Sequence, residues 1–148
     1  RTPSNESTAE AIVAEDGNSR SKDDLYMDGM GIFEFANKRI PRLIKDSLSD
    51  VSWKNEDVGL YLFHQANEFI IKLLRKRLNL TNEQVPFGAS SCGNTGPASI
   101  PVLLGSLEND GLSDKRLKVV LSGFGVGLSW GSCLTSFENT KIFKTHLL

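Results

Sequence analysis

The feature that most constrains the fold is an alternation of short apolar runs with segments of helical periodicity. The run at Val58–His64 follows two acidic residues and is almost wholly apolar, which is typical of a strand buried on both faces. Apolar residues recur at three- and four-residue steps from Asp28 before this run and from Asn67 after it, which predicts two helices. Two more apolar runs, Arg116–Gly125 and Val126–Phe137, lie on either side of a glycine-rich turn. This order predicts an α/β fold with a layered, mixed sheet that ends in a hairpin.

The chain divides into a polar lead-in and one α/β domain. Residues 1–26 are polar and broken, so we expect loops, with a short buried strand only at Ala11–Ala14. Residues 27–148 then form a single domain, as their length allows. Pro41 lies inside the first helical pattern and predicts a kink or a break there. A third helix is predicted over Pro97–Asp110.

Composition narrows the classes of function. The 17 Lys and Arg nearly balance the 18 Asp and Glu, which argues against a general binder of nucleic acid or of an anionic membrane. No apolar run approaches the roughly 18 residues of a transmembrane helix, and nothing resembles a signal peptide. The 2 cysteines, Cys92 and Cys133, cannot build a disulfide framework, so we expect a reduced, cytoplasmic protein. No set of Cys, His, Asp and Glu has metal-ligand spacing, so no metal site is predicted.

Polar side chains gather where the first predicted strand ends. His64 lies at the position where α/β proteins place their active sites, although a structural role is an equal alternative. Gln65 and Asn67 follow it, and Asn67 alone would be an ordinary helix cap. Asn94 precedes the third helix, where it either forms a turn or donates a hydrogen bond to a developing oxyanion. Cys92 lies two residues before Asn94, so a Cys–His–Asn nucleophile is a further alternative.

Two other patterns leave alternatives open. Gly123–Gly127 lies between two predicted strands and does not open a helix, so it is either a hairpin turn or a loop that offers backbone N–H groups to a substrate. Lys72, Arg75, Lys76 and Arg77 crowd the second helix, where they form either a solvated face or a surface for an acidic partner.

Three motifs in register resemble those of a known family. FHQAN at Phe63–Asn67, GNTGPASIP at Gly93–Pro101 and GFGVGLSWGS at Gly123–Ser132 occur in this order. Together they resemble the C-terminal half of a β-ketoacyl-acyl carrier protein synthase III, over about Met27 to Phe137. The resemblance implies one half of a thiolase-like fold, which is a layered αβα half-domain with a five-stranded mixed sheet.

The resemblance also implies a condensing enzyme of fatty acid biosynthesis. In the family a cysteine takes an acyl group from coenzyme A, malonyl-acyl carrier protein loses carbon dioxide, and the resulting carbanion attacks the acyl-enzyme. His64 matches the catalytic histidine and Asn94 matches the catalytic asparagine. A neutral imidazole N–H and an amide N–H₂ can both donate to the thioester oxygen on which charge develops. Acyl-CoA and carrier-protein thioesters are substrates, and no bound cofactor is implied.

Other site residues are assigned by the same resemblance. The turn between the last two strands matches the family loop beside the nucleophile, where the Val126 amide completes an oxyanion hole and Phe124 lines the pocket. The oxyanion-hole and pocket residues are therefore Phe124, Gly125, Val126 and Gly127. The residues expected to bind the acyl carrier protein are Lys72, Arg75 and Lys76. The family also implies a homodimer.

Two departures from the family pattern affect the expected activity. The nucleophilic cysteine of the family lies in the N-terminal half, and neither Cys92 nor Cys133 matches it. The chain begins at Arg1, so we expect a longer natural protein whose missing half supplies the cysteine, and we expect this chain alone to be inactive. An isolated half would expose the apolar face that its partner covers, so self-association is also expected. Phe69 stands where typical members carry an arginine, which suggests an unusual carrier or acyl donor.

Three other functions stay open at this point. Relatives of the family transfer acyl groups to oxygen or nitrogen without decarboxylation, with His64 then acting as a base. A non-catalytic partner domain would bind without reacting. A hydrolase built on Cys92 and His64 would need a thiolate that reacts at neutral pH. The sequence does not specify the acyl chain length, the carrier, or whether the pathway makes primary lipids, secondary metabolites or acylated glycans.

Overall fold

Five helices and five strands are present in a computed structural model that describes residues 4–15, 17–24, 27–107 and 116–143. In chain order, the helices are α1 (Glu6–Ala9), α2 (Gly29–Asp50), α3 (Glu68–Leu78), α4 (Ala89–Cys92) and α5 (Ser99–Ser106). The strands are β1 (Ile12–Val13), β2 (Ser19–Arg20), β3 (Val58–Phe63), β4 (Leu117–Gly125) and β5 (Ser129–Phe137). Short 3₁₀ turns precede β3 and α5.

A three-stranded mixed sheet forms the centre of the domain. β3 runs parallel to β4, and β4 pairs with β5 in an antiparallel hairpin. Every residue of β3 except Gly59 is buried, as its continuous apolar run predicts. The mixed sheet and the terminal hairpin are therefore confirmed.

Helices cover both faces of this sheet. Alternate residues of β3 point to opposite faces, so Tyr61 and Phe63 join one core and Leu60 and Leu62 join the other. The first core lies under α2 and α3 and is formed by residues such as Ile40, Ile44, Ile71 and Leu74. The second core lies under α5, which contributes Leu103. This is the predicted αβα layering.

Helix α2 is longer and more regular than its sequence predicts. Asp28 caps it by accepting the Gly31 N–H at 2.9 Å, and the helix then continues through Pro41 to Asp50. Of the two alternatives predicted at Pro41, a kink or a break, the break does not occur. A proline inside a helix costs about 3 kcal/mol. Full burial of Ile40 and Ile44 on either side contributes roughly 1.5–3 kcal/mol for each side chain, which offsets that penalty.

The prediction of five strands in one sheet is also wrong. Three strands form the mixed sheet, whereas β1 and β2 form a separate antiparallel pair. Ile12 and Val13 are 60% and 72% exposed, so the segment Ala11–Ala14 is not buried as predicted. These two apolar side chains stand among polar neighbours and have too little area to offset the ordering of a longer strand.

The last described helix is α5, and none of the described helices has the character of a membrane span. The third predicted helix ends at Ser106, and its expected last residues, 108–110, lie outside the described residues. The helices that the structure describes include none with both the length and the apolar character needed to cross a membrane.

Candidate active site

The site lies at the carboxyl end of the parallel strands. His64 follows β3 directly, and its backbone N–H extends the sheet by donating to the Ser122 carbonyl of β4 at 2.9 Å. Because β3 and β4 are parallel, the end of β4 lies beside it, and the His64 ring meets the edge of Phe124 at 5.5 Å between centroids. Two residues that sequence reasoning placed in the site are thus in contact.

Gln65 and Asn67 have structural roles beside His64. Gln65 is 2% exposed, and its amide donates to the Phe63 carbonyl at 2.8 Å and accepts the Gly88 N–H at 3.0 Å. This side chain therefore ties the end of β3 to the start of α4. Asn67 caps α3 by accepting the Ile70 N–H at 2.9 Å. Of this polar group, His64 is the residue that faces the cavity.

One nitrogen of the His64 ring is engaged inside the protein. Nδ1 lies 2.7 Å from the hydroxyl of Ser99, which is buried at the start of α5 and also accepts the Gln65 N–H at 3.2 Å. Burial lowers the pKa of His64 below its ordinary value, and a hydrogen bond to the backbone of Gly96 acts weakly in the opposite sense. The imidazole is therefore neutral at neutral pH.

Asn94 is held with its amide nitrogen available. Its Oδ1 accepts the Gly96 N–H at 2.9 Å, so the N–H₂ group is the part of the amide left for a ligand. Gly93 and Gly96 on either side have φ values of 68° and 58°, in the left-handed region that favours glycine. The glycines of the GNTG sequence thus set the loop that orients Asn94.

His64 and Asn94 line one cavity of about 580 Å³. The tip of the β4–β5 hairpin lines the same cavity, where Phe124 is buried and Val126 is 91% exposed. Of the predicted pocket residues, the cavity is lined by Phe124, Gly125 and Val126. Gly127 lies in the adjoining turn, with a φ of 141°. The walls therefore combine neutral donors with apolar surface.

The cysteines lie apart from this pair. Cys92 is half-buried at the end of α4, and its Sγ lies 3.7 Å from the carbonyl oxygens of Gly88 and Gly93. It is not among the residues that line the cavity with His64. Cys133 is exposed on β5. The geometry therefore gives no support to a nucleophile built from Cys92.

The basic residues of α3 differ in how much of their charge is available. Lys72 forms an exposed ion pair with Glu68 at 2.9 Å. Arg75 donates through Nε to the Val85 carbonyl at 2.8 Å, and its Nη2 donates to the same oxygen. Lys76 is exposed. Arg75 thus braces the loop after α3, while Lys76 presents its charge to solvent.

Next to these residues lies an apolar surface. Phe69 is 65% exposed and stacks on Phe33 of α2 with 5.3 Å between ring centroids. Met30, one turn earlier on α2, is 75% exposed. The position where an arginine was expected is therefore part of an aromatic contact between two helices.

Sequence reasoning missed Ser99. This serine lies within the GNTGPASIP motif, but its bond to His64 spans 35 residues of sequence. One sequence signal could have identified it: Ser99 lies in the first turn of the helix that follows the Asn94 loop. For metals, the described residues show no group of three or more Cys, His, Asp and Glu side chains placed to hold an ion.

Comparisons with known proteins identify the family of the chain. Residues 48–137 match the family model described as 3-oxoacyl-[acyl-carrier-protein (ACP)] synthase III C terminal. The β-ketoacyl-[acyl-carrier-protein] synthase III of Streptococcus gordonii is 37% identical over 114 residues, which are 76% of this chain and 35% of that protein.

Solved structures give the same result. A 3-oxoacyl-(acyl-carrier-protein) synthase III superposes with a TM-score of 0.83 at 30% identity, over 89% of this chain and 39% of that one. The corresponding synthase from Burkholderia xenovorans gives a TM-score of 0.78 at 36% identity, over 84% of this chain and 36% of that one. The chain spans about a third of the length of the curated relatives that it matches. It belongs to the 3-oxoacyl-[acyl-carrier-protein] synthase III family and corresponds to the C-terminal region of that family's proteins.

Proposed function

We propose that this chain supplies the decarboxylation half of a 3-oxoacyl-[acyl-carrier-protein] synthase III active site. The observation that carries the proposal is the presence of two neutral donors, His64 and Asn94, on one cavity. Each has its other polar atom already bound within the protein, Nδ1 near Ser99 and Oδ1 to the Gly96 N–H. In the proposed arrangement, the second ring nitrogen of His64 and the amide N–H₂ of Asn94 act together on one substrate oxygen.

In the proposed reaction, carbon dioxide leaves the malonyl thioester and its bonding electrons pass into an enolate. The enolate oxygen accepts hydrogen bonds from His64 and Asn94, and neither residue transfers a proton. A neutral imidazole suits this role, and burial of His64 lowers its pKa and so favours that form. The enolate carbon then attacks the acyl thioester carbonyl, a carbon–carbon bond forms, and the bond to the cysteine sulfur breaks as the thiolate leaves. The backbone N–H of Val126 would donate to that carbonyl oxygen.

The nucleophile is proposed to come from an N-terminal half of the same protein. Relatives are about three times longer than the segment they share with this chain, so about two thirds of their length lies outside the shared segment. On this proposal the chain alone does not condense substrates. The substrates are acyl-CoA and malonyl-acyl carrier protein, no bound cofactor takes part, and the enzyme is a cytoplasmic homodimer.

The carrier protein is proposed to dock on the exposed side of α3. Lys76 offers an exposed positive charge that suits an acidic carrier, and Phe69 adds an exposed apolar side chain about two turns earlier on α3. Lys72 can also bind the carrier protein once its ion pair with Glu68 is replaced by an ion pair with the carrier. Arg75 acts indirectly, because it holds the loop at Val85.

The decisive experiment measures carbon dioxide release from a malonyl thioester by the full-length protein. Replacing His64→Ala removes one oxyanion donor, and we expect the rate to fall by about 10²–10³-fold. Asn82→Ala, at an exposed turn position, serves as the control and leaves the rate unchanged. Unaltered release in a folded His64→Ala variant would overturn the proposal. Absence of release from a folded, acylated wild-type enzyme would favour acyl transfer to oxygen or nitrogen, with His64 as the base.

A further inference from the structure

We propose that Ser99 is a positioning residue that fixes the tautomer of His64, so that the neutral ring carries its proton on Nε2. The inference rests on the proposed function, because the oxyanion role of His64 requires an N–H on the nitrogen that faces the cavity. Ser99 itself does not touch the substrate in this scheme. It acts through His64 from the start of α5.

The Ser99 hydroxyl has a single proton to donate. A serine hydroxyl donates one hydrogen bond and can accept two. The Ser99 Oγ accepts the backbone N–H of Gln65 at 3.2 Å, which uses one of its acceptor positions. Across the part of the chain that the structure describes, the other partner of this oxygen is His64 Nδ1, at 2.7 Å. The hydroxyl proton is therefore directed to Nδ1, which must be unprotonated to accept it.

Burial keeps bulk water from replacing the hydrogen bond between Ser99 and His64. Ser99 is 3% exposed and Gln65 is 2% exposed, so bulk water has little access to the hydroxyl. If Nδ1 carried the proton, the Ser99 proton would lack an acceptor among the described residues, which is unfavourable for a buried donor. Both bonds of Ser99 Oγ are made at once when Oγ–H donates to Nδ1 and the ring N–H lies on Nε2.

The tautomer of His64 decides whether the ring nitrogen that faces the substrate attracts or repels the developing negative charge. With the proton on Nε2, the ring presents a donor to the developing oxyanion. With the proton on Nδ1, it presents a lone pair, which repels the same charge. Outer partners that orient a metal-bound imidazole are typically worth about 10–100-fold in affinity or activity, and we expect a similar magnitude for Ser99. We expect Ser99→Ala to lower kcat for decarboxylation by about that factor and to change KM for the malonyl thioester much less.

The test is a long-range ¹H–¹⁵N correlation spectrum of the full-length protein labelled with ¹⁵N-histidine. Above the pKa of His64, the shifts of the two ring nitrogens distinguish a protonated from an unprotonated nitrogen, and the signals are assigned by their loss in His64→Ala. We expect wild type and Ser99→Thr, which keeps the hydroxyl, to show a single Nε2–H tautomer. In Ser99→Ala we expect a mixture of tautomers. Ser106→Ala, on the same helix and bonded to the Leu103 carbonyl, is the control and leaves the spectrum unchanged.

The outcomes of this test distinguish failure of the Ser99 positioning role from failure of the proposed function. A wild-type His64 protonated on Nδ1 overturns the role of Ser99, even if Ser99→Ala fails to fold. A single Nε2–H tautomer in a folded Ser99→Ala variant overturns it as well. If either result accompanies decarboxylation that still depends on His64, the proposed function stands without this inference. If the tautomer responds to Ser99 as expected but no malonyl thioester is decarboxylated, the positioning role stands and the proposed function fails.

Discussion

The substitution Asn94→Asp tests the proposed oxyanion pair by changing one group of the side chain. Asn94 Oδ1 accepts the Gly96 N–H at 2.9 Å, and an aspartate oxygen can accept the same bond. The loop that carries residue 94 should therefore keep its shape. The other terminal group changes from an N–H₂ donor to an oxygen that only accepts. The variant thus removes the proposed donation with little change in size.

The expected loss follows from two terms. Removing one oxyanion donor costs about 2.7–4 kcal/mol, which is roughly 10²–10³-fold in rate. The new carboxylate also repels the developing charge. Two unit charges about 4 Å apart interact by about 4 kcal/mol at an effective dielectric constant of about 20. We expect Asn94→Asp to lose at least about 10³-fold and to be slower than Asn94→Ala.

The assay is carbon dioxide release from a malonyl thioester by the full-length protein at pH 7.5. Because residue 94 is exposed, we expect the free energy of unfolding to change by less than about 0.5 kcal/mol, which a denaturant titration measures. Asn82→Asp makes the same charge change at an exposed turn and should retain wild-type rates. A folded Asn94→Asp variant within tenfold of wild type, or one faster than Asn94→Ala, would refute the assignment of Asn94 as a donor.

Four further predictions concern pH, stability and association. Because burial lowers the pKa of His64, the acid limb of decarboxylation against pH should lie below the ordinary value of 6.5; a midpoint above it would contradict the neutral imidazole. The folded state then binds fewer protons than the unfolded state, so His64 makes the free energy of unfolding fall as pH drops through 6.5, and this slope should vanish in His64→Gln. Gln65→Leu leaves the Gly88 N–H and the Phe63 carbonyl unpaired and should lower the free energy of unfolding by about 2–4 kcal/mol in urea titrations. The isolated chain exposes Val126 and Trp130 and should self-associate in sedimentation experiments, whereas monomeric behaviour at high concentration would argue against a covered face.

Local patterns were enough to predict the elements around His64. A continuous apolar run predicted β3, because a strand buried on both faces needs no polar side. Helical steps and a capping residue predicted α3, which Asn67 caps as expected. The spacing of Thr81 and Gln84 is that of a capping box, and the two residues exchange bonds at 3.1 Å and 3.2 Å. In each case the physical cause lies within a few residues of its effect.

Contacts between segments that are distant in sequence could not be predicted from local patterns. Gln65 reaches Gly88 across 23 residues, and His64 reaches Ser99 across 35. These bonds exist because α4 and α5 pack at the end of β3, which is a result of tertiary structure. The same limit explains Pro41, where core packing outweighs the local preference for a break.

The absence of Lys, Arg, Asp and Glu from the described lining of the cavity is the feature that best matches the proposed chemistry. Among the described residues that line it, none is Lys, Arg, Asp or Glu, and His64 is the titratable one, held neutral by burial. A cation beside a malonyl carboxylate would stabilise the ground state and oppose the loss of carbon dioxide. Neutral donors bind the enolate oxygen more strongly than the uncharged thioester oxygen, because its negative charge develops only as the reaction proceeds. They therefore stabilise the transition state more than the ground state. The segment from Gly93 to Ser99 carries Asn94 and supplies the groups that hold both donors, and this explains why one short motif accounts for so much of the site.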